Sequence, residues 1–110
     1  MKVTATFSNG FTDTYQGARN VKAAWMVTEN ETGRVVASGH SLSREHADKT
    51  ARASLVLRQL PHGWTKFKKD IRVTAYAKLH GFNSAEEMEA AYKRESAEYA
   101  AKMSIEVVEL

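Results

Sequence analysis

The chain has 110 residues, no cysteine, and a formal charge of +3 with a pI near 9.3. A chain of this length buries one hydrophobic core and leaves no room for a second domain; without thiols it has neither disulfides nor thiolate metal sites, which points to a reducing compartment, the cytoplasm. No apolar run reaches membrane-spanning length and the start lacks a leader's apolar stretch, so secretion and membrane insertion are not expected.

Val3, Ala5 and Phe7 alternate with Lys2, Thr4 and Thr6, which is the two-residue period of a strand, and Asn9-Gly10 supplies residues that tolerate positive φ in a turn. A loop of Ser8, Asn9 and Gly10 sets Phe7 opposite Phe11, Ala5 opposite Asp13 and Val3 opposite Tyr15, keeping the apolar residues on one face. After a break at Gly17-Ala18-Arg19-Asn20, Val21, Ala23, Trp25 and Val27 alternate again, and Asn30-Glu31-Thr32-Gly33 reads as a turn into a strand at 34–38. The expectation is a four-stranded antiparallel meander over residues 1–42.

A helix is predicted over 43–60, with Ser43 as N-cap, Leu42 as a hydrophobic staple on Ala47, and Pro61 as its stop. Ala47, Thr50, Ala51, Ser54 and Leu57 form its small-residue stripe, suited to close approach on a sheet. Glu45, Asp48, Lys49 and Arg52 line the opposite face, each acid four residues before its base. Residues 61–69 read as a loop. Over 70–80 the apolar positions Ile71, Val73, Ala75, Ala77 and Leu79 fit a strand, while Ile71, Ala75 and Leu79 also fit a helix. Punctuation favours the helix: Gly81 with Phe82 behind it suits a C-cap, and Ser84 with Glu87 is a capping box for a helix over 84–103. That last helix carries Met88, Tyr92, Tyr99 and Met103 on one face, and 105–110 is apolar enough for a closing edge strand. The fold class is α+β, with helices following the meander and packed on one of its faces.

Charge is unevenly placed. Residues 58–80 hold Arg58, Lys66, Lys68, Lys69, Arg72 and Lys78 against Asp70 alone, a net of +5, whereas 81–110 nets −4 and 1–57 nets +2. Within the basic segment Trp64 and Phe67 interleave with Lys66, Lys68 and Lys69. Lysines attract phosphates and exposed rings stack on bases, so Trp64, Lys66, Phe67, Lys68, Lys69, Arg72 and Arg58 are the candidate site for nucleic acid or a nucleoprotein complex. A competing account has the two rings plugging the core and the lysines merely solvated. The same patch, or the acidic helix with Glu86, Glu87 and Glu89, suits a host protein partner instead, and the opposite charges allow a homodimer.

Catalysis and metals find little support. His40, His46, His62 and His80 have no metal-ligand spacing; His40, Ser41, Ser43, His46 and Asp48 are the residue types of a catalytic group without a motif to arrange them; no phosphate-cradling glycine loop exists. The expectation is a non-enzymatic binding protein with no cofactor and no metal. The stretch 37–53, Ala37-Ser38-Gly39-His40-Ser41-Leu42-Ser43-Arg44 through Ala53, resembles the last strand and second helix of a double-stranded-RNA-binding domain, with a glycine turn and alanines at helical spacing; the family's first helix is missing and Glu45 and Asp48 interrupt its basic helix start. That resemblance implies a ββ-then-helix shape. The small cysteine-free chain is also similar in character to phage and prophage accessory proteins, including host-defence inhibitors such as anti-CRISPR proteins.

Overall fold

In the computed structural model, residues 2–16 and 20–110 are described; Gly17, Ala18 and Arg19 of the expected break lie outside them. Strands β1 (Lys2–Thr6) and β2 (Thr12–Gln16) form the hairpin in the expected register, Val3 opposite Tyr15 and Ala5 opposite Asp13. Gly10 adopts φ 87° in the loop, Phe7 N–H donates to the Phe11 carbonyl at 2.9 Å, and the Asn9 side chain accepts from Phe11 N–H. Alternation and loop length together fix the face, so Ala5, Phe7 and Tyr15 are all buried.

The fold is α+β, but the meander expectation is corrected: the hairpin is a separate two-stranded sheet. The second sheet has the order β4-β3-β5, built from β3 (Ala23–Glu29), β4 (Val35–Ser41) and β5 (Met103–Glu109), all neighbours antiparallel. β3 is central because residues 23–27 are apolar without interruption and buried on both faces. Its even positions Ala24 and Met26 meet Ala5, Phe7 and Tyr15 of the hairpin. Its odd positions point to the other face, against which helix α1 (Arg44–Ala53) packs across all three strands with Ala47 and Ala51 fully buried. Polar ties hold the hairpin down: Ser38 Oγ donates to Asp13 at 2.7 Å, Tyr15 Oη donates to the Gly39 carbonyl, and Glu106 accepts from Ser8 N–H. Burial, reinforced by Asp13, raises the Tyr15 phenol above its ordinary range.

Ser43 caps α1 as expected, accepting from His46 N–H, whereas Leu42 is 65% exposed. The helix stops at Ala53 rather than continuing to residue 60, because Ser54 Oγ turns back to the Ala51 carbonyl and the chain folds Leu55 inward; Ser54 and Leu57 of the expected stripe therefore face solvent. Of the two expected ion pairs on its outer face, Asp48 and Arg52 meet at 2.9 Å.

The chain divides into two compact units, residues Met1–Leu55 with Ala100–Leu110, and Val56–Tyr99. The second contains α2 (Trp64–Phe67), a single turn inside the expected loop, α3 (Val73–Leu79), and α4 (Ala85–Ala101) as far as Tyr99. These helices surround a core of their own: Met88 at its centre, with Trp64, Val73, Ala77, Ala85 and Tyr92. Gly81 closes α3 at φ 88°, letting Phe82 N–H reach the Ala77 carbonyl and Phe82 pack on the core. Ser84 caps α4 through Glu87 N–H, and the Glu87 carboxylate reaches back to Asn83 N–H. No helix among the described residues is long and apolar enough to cross a membrane.

Candidate functional site

The basic segment lies in the second unit, and its local structure separates the rings from the charges. Pro61 and Gly63 start α2, which turns Trp64 inward to 8% exposure and Phe67 to half-burial against Tyr76. The expectation of rings available for stacking is corrected: amphipathic helical spacing takes them into the core. Trp64 Nε1 donates to Glu89 Oε2 at 3.2 Å, and Glu89 also accepts from Lys93 and lies 3.8 Å from Lys68. The Lys93 and Trp64 hydrogen bonds hold the Glu89 carboxyl below its ordinary range.

Two of the segment's five other cations also have partners. Arg58 grips both oxygens of Glu95 and sits 4.4 Å above the Tyr92 ring, and its hydrogen bond lowers the Glu95 carboxyl. Arg72 binds Asp70 through side chain and backbone, bringing that carboxyl down to about 2. Lys66, Lys69 and Lys78 stand exposed with no ion pair among the described residues. Half of the segment's six cations are thus paired, two of them with Glu89 and Glu95 from beyond the segment, which its linear count left out.

What remains on this surface is an apolar ridge. Ile71, in the turn before α3, is 95% exposed and Leu79, at the end of α3, 85%, with exposed Ala75 at the four-residue spacing between them. The buried face of α3 is Val73 and Ala77 instead. Lys69, Arg72 and Lys78 flank the ridge along the chain. The spacing of Ile71, Ala75 and Leu79 was a signal in the sequence, but it reads equally as a core face.

Other chemistry-bearing groups are scattered. His46 Nδ1 lies 3.0 Å from Ser41 Oγ, yet Ser41 is buried and no carboxylate among the described residues bonds the imidazole, so a base and hydroxyl meet without an orienting acid. His40 packs its ring on Tyr15. A cleft of about 400 Å³ beside Arg58 and Tyr92 has no carboxylate or imidazole in its lining. Among the described residues no group of three or more histidines and carboxylates converges on a point where a metal could bind. Residues 37–53 form the end of β4 followed by α1. No family model, curated protein or solved structure matches the chain.

Proposed function

We propose that the chain is a binding protein that docks a partner protein on the α3 ridge. The observation that carries this reading is the pair of almost fully exposed aliphatic side chains, Ile71 before α3 and Leu79 at its end, in a unit that has its own core. Two such residues held in water at the two ends of a short helical segment gain on contact with an apolar surface, and cations around them select an acidic rim. The partner is therefore a protein presenting an apolar depression bordered by carboxylates, and a host-defence component blocked by a small accessory protein fits that description. The test is affinity capture from a nuclease-treated lysate with the wild-type chain and the Ile71→Ser, Leu79→Ser double variant. One stoichiometric partner, lost in the variant while the far-ultraviolet spectrum is unchanged, supports the proposal; equal recovery with both chains defeats it.

Nucleic acid is the second reading, favoured by Lys66, Lys69 and Lys78, whose charges have no carboxylate partner among the described residues. It predicts salt-sensitive mobility shifts that weaken when those three lysines become glutamine and that survive the Ile71 and Leu79 substitutions.

A further inference from the structure

Strand β5 has one neighbour among the described residues, β3, and its other edge is open. The hydrogen bonds from Leu110 N–H to the Lys22 carbonyl and from Asn30 N–H to the Lys102 carbonyl fix the phase of that pairing. Even-numbered residues exchange hydrogen bonds with β3, so the backbone N–H and C=O groups of Met103, Ile105, Val107 and Glu109 point away from the sheet. The strand is seven residues long, has no proline, lysine or bulge to blunt its edge, and carries charge only at Glu106 and Glu109. Ile105 and Val107 also form the floor of a groove of about 480 Å³ whose wall is the outer face of α1, with Glu45, Asp48, Lys49 and Arg52.

We infer that two copies of this chain pair antiparallel through β5, extending the three-stranded sheet into one of six strands. A row of outward backbone groups at a two-residue repeat is met only by another strand. The wall of the groove says whose. A two-fold axis beside Asp48 and Lys49 sets each Glu45 opposite the other copy's Arg52, and each Asp48 opposite the other copy's Lys49, so the mixed charges of α1 complement themselves. Glu45 and Lys49 have no ion pair within the chain among the described residues. The strand and helix requirements agree in position, because Ile105, Val107, Asp48 and Lys49 line the same groove. Axes at Ile105, Glu106 and Val107 all keep odd residues opposite odd ones, but the axis at Glu106 sets two carboxylates face to face and is disfavoured. With α1 lying across its three strands, three strand spacings put the two helices about 14 Å apart. That exceeds direct helix packing, and facing Glu, Lys and Arg side chains span it while their stems cover Ile105 and Val107.

Sedimentation equilibrium over a range of concentrations tests the inference, together with hydrogen exchange at Ile105 and Val107. The wild type is expected to dimerise, with those two amides protected at high concentration and exchanging freely at low concentration. Lys49→Glu, which faces Asp48 of the second copy with a like charge, is expected to weaken the dimer about tenfold, and the Asp48→Lys, Lys49→Glu double variant to recover it. Both variants change only exposed or half-exposed helix positions and leave Ile71 and Leu79 untouched, so the result is independent of partner capture on α3. A wild-type chain that stays monomeric throughout, or a dimer whose amides at Ile105 and Val107 exchange freely, overturns the inference. So does a monomer whose β5 accepts an extended peptide of another protein.

Discussion

The indole N–H of Trp64 meets Glu89 at 3.2 Å, and the same carboxylate gathers Lys93 and Lys68. One acid from α4 thus anchors the ring that sequence patterning offers to a ligand and compensates part of the charge beside it. With Trp25 replaced by Phe, the remaining Trp64 emission is expected to be blue-shifted and quenched only weakly by iodide or acrylamide. Emission like that of free tryptophan would return the ring to solvent and restore a stacking role.

Acidification reports on the paired carboxylates of the second unit. Glu89, Glu95 and Asp70 all release their protons more readily folded than unfolded, so the fold binds fewer protons and its stability falls as they are titrated. Their contribution is complete above the ordinary carboxylate values of 4.5 and 3.8, and for Asp70 it is lost as pH falls towards about 2. Thermal melts should show the midpoint declining below pH 4.5, with Asp70→Asn giving a flatter profile between 3.8 and 2. Parallel wild-type and variant profiles would remove the Arg72 pairing as a source of stability.

Gly39 in β4 lies directly opposite Trp25, and a Cβ there would fall 2.7 Å from three atoms of the indole. Gly39→Ala is expected to cost about 1–3 kcal/mol by overpacking, read from urea denaturation. A variant as stable as the wild type would mean that the indole can move away.

Met88 and Ile71 make a contrast within one unit. Met88 has no exposed surface, and Met88→Ala is expected to cost about 2–5 kcal/mol. Ile71→Ser should change stability by less than about 0.5 kcal/mol, since the side chain is already in water. Equal losses in denaturant titrations would place Ile71 in a packed contact and withdraw the ridge as a binding surface.

Where local rules act alone, the sequence is an adequate guide. The three-residue loop and the alternation around it specify the hairpin register, and Ser43, Gly81 and Ser84 mark helix ends by hydrogen bonds that span a few residues. The sheet order depends on a partner far along the chain, and alternation at Val21, Ala23, Trp25 and Val27 hid the uninterrupted apolar run at 23–27 that signals burial on both faces. The candidate site is legible in location but not in orientation. Trp64 is carried inward by α2 and Ile71 outward beside α3, a choice made by the core around Met88 and not by residue type.

The first unit is interrupted in sequence by the second, and Ala23 finds its β5 partner only at Glu109. During synthesis, β3 must therefore wait with one flank unpaired while the whole of 56–99 emerges from the ribosome. The second unit, which has a core of its own, is free to fold first, and completion of the sheet becomes the late, slow step set by closing a long loop.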